Sequence, residues 1–96
     1  MAVYAIFNYD VADRDGYQQY QKQAGGSFAG RSFKVLALDP ATTRVEGERS
    51  GMQTVILEFD TREAFDDWYN SAEYQAAVGT RFAATTNGVG LLVTGR

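Results

Sequence analysis

Residues 2–9 alternate as a strand does: Val3, Ala5, Phe7 and Tyr9 point one way, Tyr4, Ile6 and Asn8 the other. Both sets are largely apolar, which predicts a strand buried on both faces. A polar stretch follows, with Asp13 placed to cap a helix over residues 14–24. Tyr17, Tyr20 and Ala24 recur at i, i+3 and i+7 on its inner face. Gly25-Gly26 is expected to end that helix. A second strand is predicted over residues 32–38, with Phe33, Val35 and Ala37 on one face and Leu36 and Leu38 on the other. Asp39-Pro40-Ala41-Thr42 is turn chemistry, and residues 43–48 fit a short return strand or an extended loop. Residues 52–59 form a third strand, Val55, Leu57 and Phe59 against Thr54, Ile56 and Glu58. Asp60 and Glu63 match a capping box, opening a helix with Phe65, Trp68 and Tyr69 at i, i+3 and i+4. Asn70-Ser71 breaks it, and Ser71 caps a second short helix reaching Arg81 or Phe82, with Tyr74, Val78 and Phe82 inward. Asn87-Gly88 is expected to be a turn before a last strand over residues 89–94.

The resulting order, βαββαβ, is the ferredoxin-like arrangement: an α+β single domain over residues 1–96, with a four-stranded antiparallel sheet and helices on one face. The other face still offers Ile6, Tyr4 or Phe7, Leu36 or Leu38, Ile56 and Leu92, too much apolar surface to leave in water on so small a domain. A second copy packed sheet to sheet, giving a homodimer, is the simplest cover.

Composition narrows the chemistry. The chain has no cysteine and no histidine, which removes disulfides, thiol chemistry, thiolate- or histidine-held metals and a Ser-His-Asp triad. Acid–base work would fall to carboxylates, tyrosine, lysine or arginine with shifted pKa values, and Lys22 and Lys34 sit in solvated contexts. The net charge of −3 is dispersed, with no basic stripe to suggest nucleic acid, no apolar run of membrane-spanning length and no basic leader at the N-terminus. A cytoplasmic protein without a cofactor or metal is expected.

The densest chemistry lies in Trp68-Tyr69-Asn70-Ser71-Ala72-Glu73-Tyr74-Gln75 and the following Arg81. Trp68 and Tyr69 fit either core packing or the wall of a cavity. Ser71 is better explained as a helix cap than as a nucleophile, since nothing nearby would activate it. Arg81 lies seven residues after Tyr74, on nearly the same helical face. Its charge cannot be removed, so if buried it requires a partner: Asp10, Asp13, Glu58 or a carbonyl of this chain, or the carboxylate of a ligand. Gly25 and Gly26 are a helix terminus or a place of close backbone approach to a ligand.

Tyr4, Tyr17 and Tyr20, Gly25-Gly26, Glu46-Gly47, Val55-Ile56-Leu57-Glu58-Phe59, Ala64, the Trp68–Gln75 segment and Arg81 together resemble the uncharacterised-domain family numbered thirteen-thirty, in the dimeric α+β barrel superfamily. The resemblance spans nearly the whole chain and implies a homodimer whose two sheets share a barrel. The superfamily includes haem-degrading and antibiotic-type monooxygenases and lactone isomerases; the family itself carries no settled activity. Two departures touch the rim of any pocket: the long hairpin-like stretch over residues 32–49, containing Asp39-Pro40, and the loose Thr85-Thr86-Asn87-Gly88. The expected function is a pocket for a small anionic organic ligand, formed by Tyr20, Gly26, Trp68, Tyr74 and Arg81. The alternatives are a cofactor-free monooxygenase- or isomerase-like enzyme and a purely structural dimeric module.

Overall fold

A computed structural model describes all residues, 1–96. Strand β1 (Val3–Val11) is followed by helix α1 (Arg14–Ser27), strands β2 (Lys34–Asp39) and β3 (Gln53–Phe59), helices α2 (Arg62–Tyr69) and α3 (Ala72–Ala84), and strand β4 (Thr85–Thr94). The sheet order is β2-β3-β1-β4, all antiparallel, so the first strand lies at the centre beside both the third and the last. This is the expected ferredoxin-like topology, its second helical segment divided at Asn70-Ser71 into α2 and α3.

The alternation in β1 sorts its residues as expected: Val3, Ala5, Phe7 and Tyr9 are buried beneath the helices, while Tyr4, Ile6 and Asn8 are half-buried on the opposite face. Leu57 and Phe59 of β3 join the inner layer, with Trp68, Tyr74, Ala77 and Val78 from the helices. Trp68, Tyr74 and Phe59 are the largest side chains fully sealed from solvent. Helix α1 packs chiefly against α3.

Each helix is capped by a short polar side chain. Asp13 accepts from Gly16 N–H at 3.1 Å and Ser71 from Tyr74 N–H at 3.1 Å, both as expected. The cap of α2 is Thr61, not Asp60: Thr61 Oγ1 accepts from Ala64 N–H at 3.1 Å, because the helix begins one residue later than the capping-box spacing suggests. Gly25-Gly26 does not end α1. The helix runs on to Ser27, whose hydroxyl donates to Ala24 C=O and accepts from Trp68 Nε1 at 2.9 Å. On α3 the inward positions are Tyr74, Ala77, Val78 and Arg81; Phe82 is 61 % exposed and faces outward.

Helix α3 runs on to Ala84, past the expected Arg81 or Phe82, and β2 begins at Lys34, two residues later than expected; two bulges change the strand register. In β2, Val35 pairs with Leu57 and Ala37 with Ile56, so Leu36 is an extra residue and Leu38 returns to the face of Val35. Strict alternation had assigned Leu38 to the other face. In β4, the pairing steps from Asn8–Val89 to Asp10–Thr86, which makes Asn87-Gly88 a bulge inside the strand and not a turn before it. Asn87 takes φ 56°, a left-handed conformation that asparagine tolerates, and its Nδ2 donates to Asp10 Oδ2 at 3.2 Å. The same register puts Leu92 opposite Ala5 on the inner face. The outer face instead carries Leu91 opposite Ile6 and Val93 opposite Tyr4.

Residues 40–52 form an extended loop with no return strand. Its end is fixed by Asn8, whose amide donates to Gly51 C=O and accepts from Gly51 N–H, copying a strand pairing with a side chain. Gly51 lies directly against the Tyr9 backbone and has no room for a Cβ.

Candidate functional site

Arg81 is the one charged side chain in the interior, 6 % exposed. None of the three ion pairs includes it. The carboxylates that might have neutralised it are engaged elsewhere. Asp10 accepts from Met52 N–H and Asn87, Asp13 caps α1, and Glu58 pairs with Lys34. The only protein hydrogen bond of the Arg81 guanidinium runs from Nη1 to Tyr74 Oη at 3.2 Å. The two residues are seven apart and share a helix face two turns apart. The guanidinium lies 4.9 Å from the Phe7 ring centroid, 5.2 Å from Phe82, 5.5 Å from Tyr9 and 5.7 Å from Tyr20. Such ring contacts offset part of the desolvation of the charge, about 0.5–2 kcal/mol each. They leave most of its five N–H donors without a protein acceptor.

The tyrosines are arranged in two hydroxyl pairs. Tyr20 and Tyr74 meet at 2.8 Å, Tyr9 and Tyr17 at 2.7 Å. Tyr74 is 0 % exposed, so its own proton needs an acceptor inside the protein, and Tyr20 Oη is the one in reach. Arg81 then donates to Tyr74 and Tyr74 to Tyr20, which leaves the Tyr20 proton for a further acceptor. Burial raises the pKa of Tyr9, Tyr17 and Tyr74 above the ordinary phenol value; for Tyr9 the hydrogen bond to Tyr17 adds to it, and for Tyr74 the neighbouring Tyr20 does. The nearby Arg81 charge opposes the rise in all three without cancelling it. These groups are therefore neutral donors near pH 7 and not bases.

Arg81 lines a cavity of about 250 Å³ between sheet and helices. Its inner end is formed by Tyr9, Tyr17, Leu57 and Trp68, its outer end by Gln21, Gly25, Val35 and Leu38. Arg81 is its only charged lining residue. On the other side of the guanidinium lies a more polar cleft of about 350 Å³, bordered by Tyr69, Phe82 and the bulged start of β4. A larger depression between Asp10, Arg14, Pro40 and Met52 holds no buried charge. No cluster of three or more acidic residues is close enough to hold a metal ion. Chemically, the site offers one fixed positive charge, a chain of neutral hydroxyl donors and aromatic walls, suited to an anion or to a group that becomes one.

The five residues singled out from the sequence do not all meet the cavity. Tyr20, Trp68 and Arg81 line it. Tyr74 lies behind them, touching the site through its bonds to Tyr20 and Arg81. Gly26 does not line it; its neighbour Gly25 does, because the continued helix turns position 25 toward the opening. The wall residues Phe28 and Phe33, stacked at 4.0 Å, were missed. Phe28 follows a glycine pair that reads as the end of an element, so no periodic signal points to it. The inward alternation of Phe7 and Tyr9 was the available clue to the sheet side of the site.

The chain belongs to the family described as a domain of unknown function, DUF1330, which it matches over residues 2–95. Among solved structures it is similar to a protein of unknown function from Rhodopseudomonas palustris, at 18 % identity and a TM-score of 0.80, covering 99 % of this chain and 82 % of that one. It is also similar to SnoaB, a cofactor-independent oxygenase from Streptomyces nogalater, at 14 % identity and a TM-score of 0.67, covering 99 % and 93 %. A dimeric ferredoxin-like protein of unknown function from Thermobifida fusca is matched at 14 % identity and a TM-score of 0.67, covering 98 % and 91 %. At these identities the likeness establishes the ferredoxin-like fold. No curated protein matches the chain. No helix is long and apolar enough to cross a membrane.

Proposed function

We propose that this protein is a homodimeric domain that binds a small anionic organic molecule, with Arg81 receiving the anionic group. The observation that carries this reading is a buried guanidinium at the side of an apolar cavity with no carboxylate of its own. A carboxylate ligand would supply the missing acceptors in a bidentate contact, and Tyr20 would add its free proton. Trp68 forms part of the wall, and Tyr74 holds Arg81 and Tyr20 in place. The dimer is supported by the apolar outer sheet face and by the dimeric Thermobifida fusca relative. A cytoplasmic location completes the reading.

The test is calorimetric titration with benzoate against the wild type and Arg81→Met. Methionine keeps the unbranched apolar stem of the side chain and removes a desolvated charge, so the variant is expected to fold at least as stably. Loss of a charge-assisted pair of hydrogen bonds should weaken binding roughly 10- to 100-fold. Equal affinity in a folded Arg81→Met protein would sink the proposal.

A second reading is supported by the likeness to SnoaB: a cofactor-free oxygenase in which Arg81 stabilises a substrate enolate or phenolate. In the balanced change, a methylene carbon of the substrate and dioxygen become a carbonyl and water. Both C–H bonds break, one oxygen atom stays on the carbon, and the other leaves as water with the two hydrogens. All four electrons come from the substrate. Oxygen uptake with a hydroxylated aromatic ketone that carries an acidic ring methylene group, compared with Arg81→Met, checks it; uptake no faster than without protein excludes that chemistry for the compound tested.

A further inference from the structure

We infer that the molecule taken up is a flat aromatic monoanion of one or two rings, and that it enters past Gly25 of α1, a position kept free of a side chain to leave that doorway open. This inference rests on the proposed anion-binding role of Arg81 and specifies the body of the ligand and its route.

The cavity is graded from outside to inside. Gln21, Gly25, Val35 and Leu38 are exposed, whereas Tyr9, Leu57, Trp68 and Arg81 are buried. A ligand therefore enters between α1 and β2 with its charged end leading toward Arg81. One charge at the inner end and apolar walls elsewhere suit a single anionic group on an apolar body. A second charge would be stranded without a partner. Seven of the 15 lining residues carry rings, and Phe28 stacks on Phe33 at 4.0 Å and on Trp68 at 4.9 Å, within 24° of parallel. These faces are covered by one another, so a ligand meets the lining rings largely at their edges and at the remaining faces, contacts that favour an aromatic body over an aliphatic chain. The volume of about 250 Å³ falls just below the roughly 300–1,000 Å³ of drug-sized sites, which limits that body to one or two rings.

Neither packing nor a left-handed backbone requires glycine at position 25. It lies inside α1, where glycine is about 1 kcal/mol less favourable than alanine. Its φ is not in the left-handed region, which among glycines only Gly30 and Gly47 occupy. A Cβ there would meet nothing within 4 Å, so no neighbour demands its absence. What sets it apart from Gly26 and Gly79, equally free of contact, is its place on the rim of the cavity. Gly26 shares the helix, the backbone and the lack of contact but not the rim, and so provides a matched control.

The experiment titrates 2-naphthoate, 2-naphthamide, octanoate and acetate into wild-type protein, Gly25→Leu, Gly26→Ala and Arg81→Met. Binding is read by calorimetry and by the single indole N–H resonance, which belongs to the only tryptophan, Trp68, in the cavity wall. Thermal melts confirm that each variant is folded, and Gly25→Ala serves if Gly25→Leu is not. Wild-type protein should bind 2-naphthoate at least 10-fold more tightly than 2-naphthamide or octanoate. Gly25→Leu should weaken 2-naphthoate at least 10-fold, or Gly25→Ala about 3-fold, and Gly26→Ala should leave it unchanged. Unchanged 2-naphthoate binding in the Gly25 variants, still lost in Arg81→Met, overturns the doorway while the anion site stands. Octanoate binding as tightly as 2-naphthoate overturns the aromatic class. Acetate titrating against Arg81 while 2-naphthoate does not overturns the class and spares the anion site. Binding of 2-naphthoate that is indifferent to Arg81→Met, or no binding of any probe, overturns both.

Discussion

Arg81 and the tyrosines around it form a group whose members depend on one another. Tyr74 accepts from Arg81 on one side and donates a hydrogen bond to Tyr20 on the other, so removing either hydroxyl alters what the remaining members of the group present. The same burial makes a pH prediction. Tyr9, Tyr17 and Tyr74 have folded-state pKa values raised above the unfolded value near 10. Below about pH 10 both states are protonated and stability does not depend on these groups. Above it the unfolded chain loses protons that the folded chain retains, so stability falls as pH rises toward the folded values. Each tyrosine contributes a slope of about 1.4 kcal/mol per pH unit in that window. Urea midpoints measured between pH 9 and 11 should hold steady and then drop, and Tyr9→Phe should make the drop shallower. Little of this network was legible in the sequence. The spacing of Tyr74 and Arg81 put them on one helical face, but which acceptor Arg81 would find depended on where Asp10, Asp13 and Glu58 come to rest. That is settled by strand register and capping, which local sequence does not encode.

At the scale of elements, type and order were readable because strands with period-two alternation and helices with apolar stripes are long enough to repeat. What was lost came from single inserted residues. Leu36 and the Asn87-Gly88 pair break the alternation of β2 and β4, and each carries later side chains to the opposite face from the one that counting assigns. The first bulge matters to the site, because it brings Leu38 to the cavity rim. The cap of α2 makes a measurable distinction at this scale. Thr61→Ala should lower stability by about 1 kcal/mol, whereas Asp60→Ala should change it by less than about 0.5 kcal/mol, as for an ordinary surface change. Chemical denaturation of both variants checks this; the reverse order would return the cap to Asp60.

For the molecule as a whole, the outer sheet face presents Leu91 and Val93, 53 % and 41 % exposed, beside the half-buried Tyr4, Ile6 and Ile56. If this face is the dimer interface, wild-type protein should sediment at twice the chain mass and Ile56→Glu should shift it to the monomer, since a carboxylate opposite Ile6 would be buried without a partner. A wild-type monomer at micromolar concentration rules that interface out. The apolar character of this face was visible in the sequence, although Leu92 was assigned to it in place of Leu91 and Val93, because alternation over residues 89–94 does not say which set faces inward. Gly51 adds a constraint of another kind. It is far along the chain from Arg81 and offers no group to any ligand, yet it is buried against the backbone of Tyr9, which forms the inner end of the cavity. Even the smallest side chain there must displace the strand that floors the site. In a saturation screen for ligand uptake, Gly51 should therefore rank among the least replaceable positions, its tolerance set by the shape of the chamber and not by its own chemistry.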